Sequence, residues 1–292
     1  MQRTSHQGPR LALQGARPER TIVRVGELEF GGPGFVVIAG PCAVEGQEQT
    51  ESAAAAVAEH GAHLLRGGAY KPRTSPYAFQ GMGEPGLRVL AEAGRKHGMG
   101  VVAEVMDASQ IPAMLEYVDV LQVGARNMQN FSLLRALSKV QRPVLLKRGL
   151  SATVEEWLLA AEYLLDGGNG DVILCERGIR TFETATRNTL DLGAVAVVKQ
   201  RSHLPVIVDP SHAAGVRELV IPLTLAAAAA GADGLLVEVH PRPEQALCDG
   251  AQALTPSLFG ELMARLTPVL HAVNRGLWKP AQRRPTALGA NS

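Results

Sequence analysis

Residues 143–178 read PVLLKRGLSATVEEWLLAAEYLLDGGNGDVILCERG. The stretch opens on an apolar run closed by Lys147, Arg148 and Gly149, and it ends on a second run closed by Glu176, Arg177 and Gly178. Between them VEEWLLAAEYLL, residues 154–165, carries a helical pattern. A strand, a long helical crossover and a second strand make the unit that lays strands parallel in one sheet.

Outward from this stretch the same unit recurs along the chain. The apolar runs are FVVIAG (35–40), AHLLRGG (62–68), GVVAEV (100–105), VDVLQVG (118–124), PVLLKRG (143–149), DVILCERG (171–178), PVIVDPS (205–211) and GLLVEV (234–239), eight in all. Helix-forming segments such as QEQTESAAAAVAEH, GLRVLAEAGRKH and VRELVIPLTLAAAAA separate them. Eight repeats close naturally into an α/β (β/α)8 TIM barrel. The competitor is a doubly wound open sheet, and no GxGxxG follows the first run to favour it. The expected organisation is a short N-terminal arm with one short strand (TIVRV) over 1–33, a single barrel domain over 34–274 and a C-terminal tail over 275–292.

Composition agrees with one large buried core: 292 residues, 46% hydrophobic, 20% charged and only 4% aromatic. A formal charge of +1 argues against a surface built for nucleic acid. Cys42, Cys175 and Cys248 form no CxxC pair and no disulfide framework. No apolar run is long enough for a bilayer, since the alanine run 226–230 is bounded by Pro222 and Gly231, and the N-terminus has no apolar leader. No membrane partner and a cytoplasmic location are expected.

A barrel places its chemistry where strands end and βα loops begin. Cys42, Arg66, Lys71, Arg73, Glu104, Arg126, Lys147, Arg177, Asp209, His212, Glu238 and Asp249 all fall there. Strands eight and one are neighbours in a closed barrel, so Cys42, His212, Glu238 and Asp249 can converge. A thiolate, an imidazole and two carboxylates suit a divalent metal ion such as Mn, Fe, Co or Zn. Taken singly, Cys42 also reads as a small buried hydrophobe and Asp249 before Gly250 as a turn residue. Glu238 differs, because a carboxylate inside LLVEV needs a cation or donors. The second loop, RGGAYKPRTSPYAFQG (66–81), adds Arg66, Lys71, Arg73, Thr74 and Ser75, groups matched to phosphate oxygens. Lys147, near the end of an apolar strand, also admits a Schiff-base reading.

These residues sit in motifs that resemble one family. AGPCAVE, RGGAYKPRTSPYAFQG, QVGARNMQN, LLKRG, ILCERGIRTFE, VDPSHAAG and LVEVHPRPEQALCDGAQAL, in that order over roughly 34–270, are similar to the type I beta 3-deoxy-D-arabino-heptulosonate-7-phosphate (DAHP) synthases. The resemblance implies a metal-dependent condensation of phosphoenolpyruvate with erythrose 4-phosphate, the first step of the shikimate pathway. It implies metal ligands at Cys42, His212, Glu238 and Asp249. Arg66, Lys71, Gly124, Ala125, Arg126, Lys147 and Arg177 would hold phosphoenolpyruvate, and Arg73, Thr74 and Ser75 the aldose phosphate. Lys71 would donate a proton, given a pKa lowered by surrounding cations. A homo-oligomer, tetramer or dimer, is implied as well. The neighbouring 3-deoxy-octulosonate-8-phosphate synthases use arabinose 5-phosphate, and KPRTS favours the shorter aldose. Some family members carry a fused regulatory domain. The arm before Phe35 is too short to build one, so weak or absent feedback inhibition is expected.

Overall fold

The computed structural model describes residues 8–71 and 75–280. Eight strands form the barrel: β1 (Gly34–Gly40), β2 (Leu64–Arg66), β3 (Gly100–Val105), β4 (Val120–Val123), β5 (Val144–Lys147), β6 (Val172–Glu176), β7 (Val206–Val208) and β8 (Gly234–Glu238). Each pairs in parallel with the next. The pairing of β8 with β1, from Gly234 opposite Val36 to Glu238 opposite Gly40, closes the ring. The helices between and after them are α1 (Gln47–Glu59), α2 (Glu84–Lys96), α3 (Ile111–Tyr117), α4 (Phe131–Leu137), α5 (Val154–Asp166), α6 (Leu192–Arg201), α7 (Val220–Ala229) and α8 (Pro256–Ala272). The (β/α)8 barrel read from the sequence is the fold.

Strand side chains alternate with period two, and the packing sorts them by parity. Val37, Leu65, Val101, Leu121, Leu146, Leu174, Val208 and Val237 pack outward with the helices in one buried cluster. Val36, Ile38, Leu64, Val102, Val120, Leu145, Ile173, Ile207 and Leu236 fill the barrel interior. Two residues on from Leu64, Val102, Val120, Leu145, Cys175, Ile207 and Leu236, the inward parity brings Arg66, Glu104, Gln122, Lys147, Arg177, Asp209 and Glu238. The interior is therefore apolar through its depth and charged at the carboxyl ends of the strands.

The opposite end is plugged. The stretch read as an arm with one short strand forms a hairpin, Val23–Val25 against Leu28–Phe30, turning at Gly26 with φ +58°. Val23, Leu28 and Phe30 enter the interior cluster, which is why this second strand exists: Leu28 and Phe30 share one apolar face that has a core to fill, while Glu29 points the other way. Further back, Glu162 of α5 accepts the backbone N–H groups of Arg10 and Ala12, each at 2.7 Å. At the other terminus Gly276–Leu277 pairs with Gly34–Phe35 beside β1. No helix among the described residues is long and apolar enough to cross a membrane.

Candidate active site

Glu238 ends β8 in register with Gly40, and Cys42 follows β1 two residues later. His212 sits in a short helix, Pro210–Ala214, that starts directly after β7; Asp209 caps it by accepting the His212 N–H at 3.0 Å. Asp249 lies in the β8–α8 loop at φ 53°, a conformation that aspartate tolerates better than most side chains. These four residues bring their ligand atoms within 4.8 Å of one another. Cys42 Sγ is 3.4 Å from Asp249 Oδ2, and His212 Nε2 is 3.3 Å from Glu238 Oε1 and 3.9 Å from Asp249 Oδ2. Donors each about 2.0–2.3 Å from a first-row ion stand roughly 3–4.5 Å apart, so the spacing and the chemistry of the set both fit a divalent cation.

The surroundings prepare the donors. His212 Nδ1 lies 2.6 Å from Asp209 Oδ2, which directs Nε2 toward the carboxylates. Burial holds the His212 pKa below its ordinary value, against the pull of Asp209 and Glu238, so the imidazole stays neutral and able to ligate. Burial works against charge on Glu238 too, but at the acid pH where Glu238 titrates a protonated His212 and Arg66 outweigh it and bring its pKa to about 2. Arg66 Nη1 donates to Glu238 Oε1 at 2.7 Å. Cys42 Sγ contacts Cys248 Sγ at 3.1 Å, and this bond together with burial pushes the Cys42 thiol well up. Coordination acts in the opposite sense, because a bound cation displaces the thiol proton.

Beside the cluster lies a cavity of about 210 Å³ lined by Lys71, Glu104, Arg126, Arg177, Arg180, Arg187, His212 and Asp249 among others. A narrower recess of about 50 Å³ shares Lys71, Glu104, Arg126 and Arg177 with it and adds Arg66, Gln122, Gly124 and Lys147. Lys147 is ion-paired with Asp209. Among the described residues, Arg177 donates only to backbone carbonyls, of Gly178 and His212. Among the described residues, the side chains of Arg126 and Arg180 have no hydrogen bond or ion pair. This is a cation-lined pocket with charge left for anionic ligands.

The profile of the DAHP synthetase I family matches residues 21–271. The chain belongs to the DAHP synthetase I family. It is 54% identical over 256 residues to the phospho-2-dehydro-3-deoxyheptonate aldolase of Thermotoga maritima, covering 88% of this chain and 76% of the relative. The crystal structure of DAHP synthase from that organism superimposes with a TM-score of 0.90 at 51% identity, covering 92% of this chain and 79% of that one. A truncated form of the same synthase gives a TM-score of 0.86 at 48% identity, over 92% and 98% of the two chains. The 2-dehydro-3-deoxyphosphooctonate aldolase of Syntrophotalea carbinolica is more distant, 34% identical over 251 residues, covering 80% of this chain and 90% of the relative.

Within this DAHP synthetase I barrel the residues expected from sequence fall into three groups. Lys71, Ala125, Arg126 and Arg177 line the cavity, and Arg66, Gly124 and Lys147 line the recess. Arg73 and Thr74 lie outside the described residues. Ser75 is exposed and lines neither cavity; its hydroxyl is engaged locally by the Tyr77 N–H at 3.3 Å. The expectation for the Lys71 pKa is also reversed. Its Nζ donates to Cys42 O at 2.9 Å and Cys42 Sγ at 3.1 Å, and although burial disfavours the charge, the Cys42 and Cys248 sulfurs outweigh it and raise the pKa. Lys147 is buried and ion-paired with Asp209, and the Schiff-base alternative is not favoured because the chain's relatives at about half identity are DAHP synthases.

Several site residues escaped the sequence reading. Gln122 has a usable signal, a polar residue two positions after Val120 in an apolar strand. Cys248, Arg180, Arg187 and Gln252 have none of that kind, because they sit in loops where polar residues are the norm.

Proposed function

We propose that phosphoenolpyruvate and erythrose 4-phosphate occupy the cation-lined cavity and recess, where this chain, a DAHP synthase, joins them with release of phosphate. The observation that carries the reading is the four-donor cluster opening directly onto a pocket with unneutralised arginines. C3 of phosphoenolpyruvate bonds to the aldehyde carbon, water adds at C2, and the C–O bond to phosphate breaks. When bound, the divalent ion supplies Lewis-acid polarisation of the aldehyde carbonyl; Cys42, His212, Glu238 and Asp249 would hold it, and Mn, Fe, Co and Zn all suit this donor set.

The chain's own residues do the rest. Arg126, Lys147 and Arg177 neutralise the enol phosphate and carboxylate, fixing the nucleophilic carbon before attack. Lys71, held protonated above Cys42, donates to the oxygen that becomes a hydroxyl. Glu104 takes the proton of the incoming water. Its carboxylate lines both cavities and its one hydrogen bond among the described residues is a long 3.5 Å contact from Gln122 Nε2. Arg73, Thr74 and the backbone near them would receive the aldose phosphate, as the KPRTS motif implies. A cytoplasmic location and a homo-oligomeric state, dimer or tetramer, accompany the family resemblance.

A product assay tests the reading: phosphoenolpyruvate with erythrose 4-phosphate or with arabinose 5-phosphate, each with and without EDTA. Heptulosonate formed from the four-carbon aldose and abolished by EDTA is expected. Product from arabinose 5-phosphate alone, or EDTA-resistant turnover with borohydride trapping at Lys147, would overturn it.

A further inference from the structure

Arg187 lies in the β6–α6 loop, far from any strand end, yet its backbone is fixed on the helix that carries His212. Its N–H donates to Ala214 O at 3.1 Å, the Asn188 N–H donates to Ala213 O at 2.8 Å, and Asn188 Nδ2 donates to His212 O at 2.9 Å. Gly215 ends that helix at φ +74°, and a Cβ there would stand 2.5 Å from Arg187 Cβ, so the loop can lie this close only against glycine.

From this anchored position one guanidinium nitrogen, Nη1, reaches Asp249 Oδ1 at 3.3 Å and Gln252 Oε1 at 3.0 Å. Gln252 is 2% exposed, and its Nε2 donates to Glu238 Oε2 at 2.6 Å. The partners fix the amide orientation: a guanidinium only donates and a carboxylate only accepts, so the amide oxygen faces Arg187 and the nitrogen faces Glu238. The oxygens of both carboxylates are thereby divided. Glu238 gives Oε2 to Gln252 and turns Oε1 to Arg66 and His212. Asp249 gives Oδ1 to Arg187 and turns Oδ2 to Cys42 and His212.

We infer that Arg187 and Gln252 are positioning residues, a relay that engages one oxygen of Glu238 and one of Asp249 so that each carboxylate presents a single oxygen to the cation. This rests on the metal reading above. Arg217 is the instructive contrast. It grips the same loop through the carbonyls of Gly250 and Ala253, and so shapes the loop rather than its ligand side chains. The relay ties the β6 loop, which contributes no donor of its own, to two of the three loops that supply donors, those after β7 and β8.

The test is uptake of Mn(II) by the metal-stripped full chain, read from the electron paramagnetic resonance signal of free Mn(II), with circular dichroism confirming the fold. Gln252→Leu removes both hydrogen bonds without a charge change and is expected to weaken Mn(II) binding on the order of 10–100-fold. Arg187→Met removes a positive charge, which by itself would tighten cation binding; the relay predicts weakening instead, about tenfold. Because the two act through one chain of bonds, the double variant loses less than the two separate losses combined. Single variants binding within twofold of the wild type, tighter binding by Arg187→Met, or fully additive losses would overturn the relay. A wild type that takes up no Mn(II) would instead sink the metal reading. Should Gln252→Leu fail to fold, Arg187→Met, at an exposed side chain, decides alone.

Discussion

Gly124 opens the β4–α4 loop at φ −66° and ψ 157°, a conformation open to any residue, so its value is space. A Cβ there would stand 2.0 Å from Glu104 Oε1. Gly124→Ala should therefore leave the fold intact while driving the Glu104 carboxylate off its place, with kcat/KM falling by roughly 10–100-fold. Wild-type kinetics in that variant would mean that Glu104 is not the group that receives the water proton. Cys42→Ala is the complementary test across the site. Removing the thiolate takes away the soft donor while Glu238 keeps Arg66 and Gln252, so a folded protein with strongly reduced metal content and turnover is expected. Metal analysis of the purified variant, alongside its activity, would show whether the sulfur is a ligand at all.

At the scale of elements, the entry into β2 holds a histidine whose protonation matters. His63 Nδ1 accepts the Val37 N–H of β1 at 2.9 Å, and Nε2 bonds to Trp278 O at 3.0 Å. Burial lowers its pKa from the ordinary 6.5. The folded state thus resists the proton that the unfolded chain accepts, so the contribution is complete above about pH 6.5 and is lost as pH falls through the depressed folded value. Urea midpoints measured between pH 8 and 5 should decline on the acid side. His63→Gln, which offers an acceptor and a donor without titrating, should decline less; equal slopes would remove His63 from the account. Element by element, legibility follows packing. GVVAEV was read as residues 100–105 and is β3 with those bounds, because an apolar run buried on both faces carries its own signal. The hairpin strand Leu28–Phe30 was missed, since three residues give no period and its reason for existing is the barrel floor, a tertiary fact. The inward charged layer was legible residue by residue at strand ends. Arg187 and Gln252 were not, because their roles depend on where loops return in space.

Across the whole molecule, the donor set spans the chain from Cys42 to Asp249 and straddles the β8–β1 seam that closes the ring. A cation held there by both sides of the seam binds the folded barrel and has no comparable site in the unfolded chain, so it stabilises by mass action. At about a thousandfold excess over Kd the gain is roughly 4 kcal/mol. For a chain of this size each 1 kcal/mol moves the melting midpoint by about 2–4 °C, so adding metal to the stripped protein should raise Tm by several degrees to about 15 °C. The rise should scale with the logarithm of metal concentration and reverse with EDTA. It should shrink in Cys42→Ala, which removes the donor on the β1 side, while a surface variant such as Glu261→Ala, whose exposed pair with Arg265 lies on α8, keeps it in full. A metal-independent Tm in the wild type would mean that the four side chains meet without holding an ion across the seam. The closure would then rest on the strand pairing and the Arg66–Glu238 ion pair alone.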